Sequence, residues 1–550
     1  MSTQLLSTPA THPWSLAGLA DKVFMAATEG AFKLGAYSWD SPICRLAEAA
    51  VVSTLRNIRH GQLRISTPHK TYLFPESASP AKVQAEIRVL RPTFWLRLCL
   101  MSDLGFSEAY MFGDIDCDDL IPVFATNSID LIFCHNKESL SSLHSRLASV
   151  VGTISGKLAS SRFLSNLTNS RGNISCHYDI SNDMFQGFLS KDMTYSCAVF
   201  TDHDGDVRSE KSRSTRAIGT RSSSPSSPRS HSSRSSSPTA FSSDAEHEDV
   251  FSKLRAAGRE LISGEADADF SDPLYAAQVR KFEYLIRKAD IRPGHRVLEI
   301  GSGWGPLAVH ITSTIPGTTV DTVTLSVQQA KYVKERVRKA GLGYGNGEQR
   351  VTIHVFDYRN MPKEWEGRFD RLVCVEMIEN VGREYIETYW SQVDWALKKD
   401  TGAGVVQVIT IPEARYDGYI REQEFIRKWI FPGGHLPTVT HLMTAIRDGS
   451  KGRLVVDSIG NIGPHYSRTL REWRKRFVAN FDDFIVPSLK KEYPDVMNGP
   501  NSAEEIEVFK RKWIYYFAYS EIGFTERLLG DHVIAFTREG NTDYSCQVFY

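Results

Sequence analysis

The chain has 550 residues, of which 41% are hydrophobic and 24% are charged, as in ordinary folded proteins. This length predicts two or three domains. Lysine plus arginine and aspartate plus glutamate balance at 65 each, so the net charge gives no support for a nucleic-acid partner. The eight cysteines form no C-x-x-C pair, which argues against a zinc site or a disulfide framework and favours a reducing, cytoplasmic compartment.

The apolar stretches of the chain are too short to span a membrane. The N-terminus lacks the basic-then-apolar order of a secretory signal. Residues 94–101 and 120–134 are short or are interrupted by Arg97 and Asp130, whereas a bilayer-spanning helix needs roughly 20 apolar residues. We therefore expect a cytoplasmic protein that meets a membrane only from its surface.

The chain divides into four segments. Residues 1–150 contain periodic apolar segments and predict a small mixed α/β domain, and residues 151–202 predict a helical linker. Residues 203–247 are rich in serine, arginine and proline, so they cannot bury enough apolar surface to offset chain entropy and are predicted to be disordered. Their Ser-Pro pairs fit either phosphorylation sites or a tolerated surface insertion. Residues 248–550 form the longest segment.

From about residue 270 onward, strands and helices alternate. A helix leads into a strand at 296–300, helices follow from Pro306 and over 327–340, and further strands are predicted at 320–325, 351–356, 371–375 and 405–411. Apolar strands that alternate with helices are typical of an α/β fold with a doubly wound, mostly parallel sheet. The ligand of such a sheet binds at the carboxyl ends of the strands.

A glycine-rich turn follows the first of these strands. The segment reads VLEIGSGWG, and Gly301, Gly303 and Gly305 allow a sharp turn and a close approach of the backbone to a ligand. Dinucleotide folds use G-x-G-x-x-G, but Pro306 follows the third glycine here, so the pattern favours S-adenosylmethionine over NAD. Glu299 suits that choice, because a carboxylate can bind the cationic amino-acid end of this cofactor. The motif alone also fits a tight turn that binds nothing.

Six ordered motifs resemble those of the cyclopropane-fatty-acyl-phospholipid synthases and the related mycolic acid cyclopropane synthases. They are HYDISNDMF (177–185), MTYSCAVF (193–200), LEIGSGWG (298–305), VTLSVQQ (323–329), MIENVG (377–382) and WIFPGG (429–434). The resemblance covers about 170–540, is interrupted by the serine-rich insert and continues weakly into 60–125. The segments ITIPEARY (409–416) and FPGG (431–434) are most similar to the plant and fungal branch of the family.

The resemblance implies a class I, Rossmann-like methyltransferase domain in 248–550, a lipid-associated N-terminal domain in 1–150 and an active-site cover in 151–202. It implies transfer of a methylene group from S-adenosylmethionine to a cis double bond in an acyl chain of a membrane phospholipid, which the protein meets peripherally. The alkene attacks the sulfonium methyl, and the carbocation then loses a proton to a bound bicarbonate as the ring closes. A homodimer is compatible with this interpretation.

The family motifs also assign roles to residues of this chain. By resemblance, Glu379 and Tyr466 hold the bicarbonate, while Cys197 and Ile411 line it. The residues expected to bind the cofactor are Tyr195, Ser196, Glu299, Gly301, Gly303, Gly305, Thr324, Gln329, Asp357 and Tyr358. Aromatic faces stabilise a carbocation without adding a competing nucleophile, and the aromatic side chains near these motifs are Tyr195, Phe200, Trp304, Tyr466, Tyr515 and Tyr516.

Several alternatives stay open. On local evidence Cys197 also fits a packing cysteine, Glu379 a helix cap and Tyr466 a core tyrosine. Bacterial members carry histidine where this chain has Ile409, whose apolar side chain cannot donate to bicarbonate, so the base must be held differently or be another group. A second candidate product is a methyl-branched acyl chain formed by hydride shift. A different class of function is a catalytically inactive lipid-binding protein.

Overall fold

The computed structural model describes residues 38–58, 62–75, 85–125, 182–206, 271–345, 347–421 and 424–544. Residues 207–247 of the predicted insert, the linker up to residue 181 and the start of the first family motif lie outside these ranges. The described residues form two β-sheets with helices packed against them.

The helices are α1 (Pro42–Leu55), α2 (Thr93–Met111), α3 (Leu120–Ala125), α4 (Asn182–Gln186), α5 (Pro273–Lys288), α6 (Pro306–Thr314), α7 (Val327–Lys339), α8 (Ile386–Ala396), α9 (Glu413–Arg421), α10 (Val439–Ser450), α11 (Gly463–Ala479), α12 (Val486–Glu492), α13 (Pro494–Met497) and α14 (Ser502–Thr525). The strands are β1 (Leu63–Ser66), β2 (Thr71–Phe74), β3 (Ala85–Val89), β4 (Ile115–Asp116), β5 (Arg296–Ile300), β6 (Thr319–Thr324), β7 (Val351–Val355), β8 (Arg371–Val375), β9 (Ala403–Thr410), β10 (Leu454–Asn461) and β11 (Gly530–Arg538). Short 3₁₀ turns follow β7 and β8.

The N-terminal sheet is small and mixed. Its strand order is β2-β1-β3-β4, and β1 pairs antiparallel with β2 and parallel with β3. Ile65 and Ile87 are opposite each other in the parallel pair and are almost fully buried. This alternation of buried and partly exposed residues is what a sheet with one covered face requires.

The larger sheet has seven strands in the order β10-β11-β9-β8-β5-β6-β7. The five strands β5 to β9 run parallel, which confirms the predicted doubly wound α/β sheet. Successive residues of β5 point to opposite faces, and Val297 and Leu298 are both fully buried. Val297 packs with Leu307 of α6 and Val333 of α7, whereas Leu298 packs in the cluster that includes Trp390 of α8. Helices therefore cover both faces.

The last strand differs from the rest of the sheet. β11 lies between β9 and β10 and runs antiparallel to both. The sequence prediction ended at the strand now seen as β9 and did not place β10 or β11. The position of β11 matters for the site, because it carries Asp531 into the sheet beside Gln407 of β9.

Helix α14 connects the two sheets. Arg511 donates from Nη2 to Asp116 Oδ1 of β4 at 3.0 Å, and the Tyr515 ring lies 4.6 Å from that of Phe425. The sheets are thus joined by a buried interface rather than by a linker alone. No helix in the described ranges has the length and apolar composition to cross a bilayer.

Candidate active site

A cleft with about 1130 Å³ of empty space opens at the carboxyl ends of β5, β6 and β8. Its walls come from the loops after these strands, from the first turn of α6, and from helix α5 and the segment 193–196. The predicted cofactor residues that line it are Tyr195, Ser196, Glu299, Gly301, Gly303, Thr324, Gln329, Asp357 and Tyr358. This edge is where a doubly wound sheet binds its ligand.

The glycine-rich turn forms one wall of the cleft. Gly301, Gly303 and Gly305 have φ values of 100°, 50° and 79°, in the left-handed region that favours glycine. A Cβ on Gly303 would meet no protein atom within 4 Å, whereas a Cβ on Gly305 would come within 3.0 Å of Val333 Cγ1. Gly303 therefore leaves room for a ligand, while Gly305, which is not part of the cleft wall, allows the turn to pack on α7.

Two buried ionisable side chains, one acidic and one basic, face the cleft. Glu299 of β5 accepts a hydrogen bond from Thr322 Oγ1, and burial raises the pKa of its carboxyl to about 8. Lys281 of α5 donates from Nζ to Ser196 Oγ at 2.7 Å, and burial lowers the pKa of its ammonium group. A carboxyl and an ammonium group in one cleft suit a zwitterionic ligand.

Polar side chains line the cleft beyond β6 and β7. Thr324 Oγ1 donates to Gln329 Oε1 at 2.9 Å, and Asp357 Oδ2 accepts a 2.7 Å hydrogen bond from Arg359 Nη2. The Tyr358 hydroxyl is buried and has no hydrogen-bond partner within the described part of the chain. These groups offer donors and acceptors to the sugar and base of a nucleoside.

Aromatic rings complete the wall. The Tyr195 hydroxyl donates to the Tyr516 hydroxyl at 3.0 Å, and its ring lies 4.9 Å from that of Trp473. Trp304 donates from Nε1 to Asn182 Oδ1 at 2.8 Å, which fixes its ring. Tyr195 and Trp304 line the cleft. The other aromatic side chains expected near it are buried and do not line it, namely Phe200, Tyr466, Tyr515 and Tyr516.

Glu376, which the sequence analysis did not assign, lines the cleft directly after β8 and has a φ of 47°. Its Oε1 accepts hydrogen bonds from the Cys197 N–H and from Gln407 Nε2, both at 2.8 Å. Its Oε2 accepts from the Tyr466 hydroxyl at 2.6 Å. Cys197 and Tyr466, which the resemblance assigned to a bicarbonate, thus bind the carboxylate of a side chain.

A second carboxyl group lies beside Glu376. Gln407 Nε2 also donates to Asp531 Oδ2 at 2.8 Å. Burial, and then the nearby charge of Glu376, raise the pKa of Asp531 well above its usual value. Burial also raises the pKa of Glu376 above its usual value, and the hydrogen bonds from Tyr466 and Cys197 offset only part of this rise. We place the negative charge on Glu376 and the proton on Asp531, because Glu376 has more donors.

Glu379 lies in the 3₁₀ turn that follows Glu376. Its Oε1 accepts from the Ile409 N–H at 2.5 Å, and its buried Oε2 has no hydrogen-bond partner among the residues that the structure describes. Burial, and then the charge of Glu376, raise the pKa of Glu379 to about 8. Ile411 is buried, and its N–H donates to a backbone carbonyl of the loop before α10. The assignment of Glu379 and Ile411 to a bicarbonate stays a prediction.

Sequence reasoning missed Lys281, Glu376, Gln407 and Asp531. Gln407 and Asp531 interrupt the apolar strands β9 and β11, and Lys281 lies one helical turn after the buried Ala277. A polar residue at a core position is a signal, since such groups are buried with partners or for function. No three His, Cys, Asp or Glu side chains in the described ranges are grouped so that they could hold a metal ion.

A family model described as mycolic acid cyclopropane synthetase matches residues 165–219 and 267–532. The tuberculostearic acid methyltransferase UfaA1 of Mycobacterium tuberculosis is 32% identical over 370 residues, which are 67% of this chain and 66% of that protein. The cyclopropane-fatty-acyl-phospholipid synthase of Escherichia coli K12 is 27% identical over 436 residues, 78% of this chain and 82% of that protein. A solved structure of the M. tuberculosis cyclopropane synthase MmaA2 is 17% identical, covers 67% of this chain and 98% of its own, and has a TM-score of 0.45.

The family match includes both parts of the cleft wall, the segment 193–196 and the glycine-rich turn. It spans more than half of the chain. The order of the large sheet, with one antiparallel strand next to its end, is that of the class I methyltransferases, as the resemblance implied. The chain therefore belongs to the mycolic acid cyclopropane synthetase family.

Proposed function

We propose that the protein is an S-adenosylmethionine-dependent lipid methyltransferase that adds a methylene group to a cis double bond of an unsaturated acyl chain in a membrane phospholipid. The observation that supports this best is the cleft, where a glycine-rich turn, a buried carboxyl, a buried ammonium and aromatic rings come together. Family membership supports a lipid as the acceptor, since UfaA1 and the E. coli synthase are both named for fatty acyl substrates.

The charges of the cleft match the methyl donor. Glu299 would bind the ammonium of its methionine end and Lys281 the carboxylate, while Thr324 and Asp357 would bind the nucleoside. The bound donor supplies an electrophilic methyl group on a sulfonium. Tyr195 and Trp304 then shield the reacting double bond from water and present ring faces to the positive charge that develops on it.

Donor binding should release a proton from Glu299 near neutral pH. Because burial raises the pKa of this carboxyl to about 8, it is mainly neutral at pH 7 and must ionise to pair with the donor's ammonium. The affinity should therefore rise up to about tenfold from pH 6 to pH 7. Calorimetry in buffers of different ionisation enthalpy measures the released proton, and Glu299→Gln should abolish the release. An unchanged proton count in that variant would contradict the assignment.

A second candidate product is a methyl-branched acyl chain. The observation that favours it is the name of UfaA1, a methyltransferase of tuberculostearic acid, which is 32% identical to this chain. The two routes share the donor, the alkene and the first carbocation. They differ in the fate of this cation. Ring closure takes a proton from the transferred methyl group, whereas the branched route shifts a hydride along the chain and then loses a chain proton or, for a saturated branch, accepts hydride from an external donor.

A donor with a trideuterated methyl group separates these products. We expect purified protein, given vesicles of cis-unsaturated phosphatidylcholine, to produce acyl chains that keep two of the three deuterium atoms, as ring closure requires. A methylated alkene formed by loss of a chain proton, or a saturated methyl branch formed with an added hydride donor, would keep all three. Mass spectrometry of the released fatty acids measures the label, and vesicles of saturated lipid are the control. If the released fatty acids carry no deuterium, the remaining interpretation is a catalytically inactive lipid-binding protein.

We further propose that the acyl chain reaches the cleft from a bilayer to which the protein binds peripherally. The substrate resides in a membrane, and no helix of the described ranges could cross one. When the same vesicles are pelleted from the assay, the protein should sediment with them. Alkaline carbonate should then release the protein from the vesicles.

A further inference from the structure

The carboxylate of Glu376 has the setting of a catalytic base. It faces the cleft, and it accepts hydrogen bonds from three neutral groups: a peptide N–H, the Tyr466 phenol and the Gln407 amide. The protonated Asp531 and the nearby Lys281 ammonium also favour its ionised form. Neutral donors orient a carboxylate but leave its negative charge, whereas a bidentate arginine would neutralise that charge. Its φ of 47° lies in a region that side chains rarely adopt, and such strain is concentrated at functional sites.

We propose that Glu376 is the base that removes the proton in ring closure, an inference that rests on the cyclopropanation proposed above. Its carboxylate takes one proton from the transferred methyl group. The electron pair of that C–H bond forms the last C–C bond of the ring and quenches the carbocation. Glu376 becomes a neutral carboxylic acid, and it returns its proton to water after the product has left.

The residues around Glu376 act as positioning residues in this step. Tyr466 and Cys197 fix the two carboxylate oxygens at 2.6 and 2.8 Å, and Gln407 links Glu376 to Asp531. Asp531 holds its proton and so does not compete for the one from substrate. The donors that the sequence assigned to a bicarbonate are therefore satisfied by the protein's own carboxylate, and no separate bicarbonate is needed.

The first test is Glu376→Gln, with the exposed Glu384→Gln as the matched control. Glu376→Gln should reduce ring formation by about 100-fold or more, while its affinity for S-adenosylhomocysteine stays within about threefold of wild type. Any residual product should shift toward methylated alkenes of the same mass, which proton NMR distinguishes from the ring. Glu384→Gln should behave as wild type. Full ring formation in Glu376→Gln overturns the proposal.

The second test is Glu376→Gly, which suits the left-handed φ and so protects the fold. It opens a space beside the Cys197 N–H and the Tyr466 hydroxyl that a small oxyanion can enter. Added bicarbonate should restore part of the ring formation of this variant, whereas depletion of bicarbonate should leave the activity of the wild type unchanged. A wild type that loses activity without bicarbonate overturns the proposal.

A third measurement needs no turnover. The infrared difference between ligand-free wild type and Glu376→Gln at pH 7 should contain the stretch of an ionised carboxylate. A protonated carboxyl band instead would overturn the role as base. Failure of the proposed function would appear separately, as a wild type that binds S-adenosylhomocysteine but labels no lipid.

Discussion

Gly303→Val is expected to weaken binding of the methyl donor by about 100-fold. A Cβ at this position meets no protein atom within 4 Å because it projects into the cleft, so the valine methyl groups would occupy space that the donor needs. Overfilling a fitted contact costs about 1–3 kcal/mol, the upper end of which corresponds to this loss of affinity. Calorimetric titration with S-adenosylhomocysteine measures it.

The matched control is Gly294→Val. Gly294 also has a left-handed φ, 80°, and open space around its Cβ position, but it lies in an exposed turn before β5. Both variants carry the backbone penalty of about 1–2 kcal/mol for a left-handed side chain. The control should therefore lose similar stability and keep wild-type affinity. Wild-type affinity in Gly303→Val would mean that the glycine-rich turn does not contact the donor.

Glu379→Gln is expected to make the protein less sensitive to alkaline pH. The unfolded carboxyl ionises near pH 4.5, whereas the folded one keeps its proton up to about pH 8. Between these values the native state binds more protons than the unfolded state, so stability falls as pH rises. Glutamine removes this contribution, about 1.4 kcal/mol per pH unit. Melting temperatures from pH 5 to pH 8 should fall less steeply in the variant, which should be the more stable protein at pH 8.

The exposed Glu384→Gln serves as the control here as well and should keep the wild-type pH dependence. An identical slope in Glu379→Gln would show that Glu379 is ionised in the folded protein. The activity of the two buried variants also separates the roles of the two carboxyls. A loss of ring formation in Glu379→Gln with full activity in Glu376→Gln would instead favour Glu379, which the resemblance assigned to holding a bicarbonate base.

Much of the large domain could be predicted from local patterns. Apolar strands of about five residues that alternate with amphipathic helices require a parallel sheet with both faces covered, and the strand pairs agree with this. The sharp turn after β5 could also be predicted, because the left-handed φ values at Gly301 and Gly303 favour glycine. Most residues assigned to the cofactor line the cleft for a related reason: they lie at, or just after, the ends of strands whose carboxyl ends share one edge.

The choice between the two carboxyls could not be made from the sequence. Glu376 directly precedes the MIENVG motif that contains Glu379, three residues later, and no local pattern shows which of the two side chains faces the cleft. The answer depends on the left-handed φ of Glu376 and on partners that are distant in the chain. Cys197 is 179 residues away and Tyr466 is 90 residues away.

The antiparallel strand β11 is a second feature that brings together residues distant in the chain. It places Asp531 beside Gln407, 124 residues earlier in the chain. Burial there, and then the nearby charge of Glu376, raise the pKa of Asp531, which leaves the charge to Glu376. The periodicity of apolar residues in the sequence indicates which face of the sheet a residue occupies, but it does not indicate which strand lies beside that residue. The sequence by itself therefore determined the five parallel strands, the turn and the ligand edge, because these follow from local backbone preferences and burial. Only the tertiary structure decided which carboxylate is held for chemistry, because the pKa and orientation of a buried group are set by its neighbours in space.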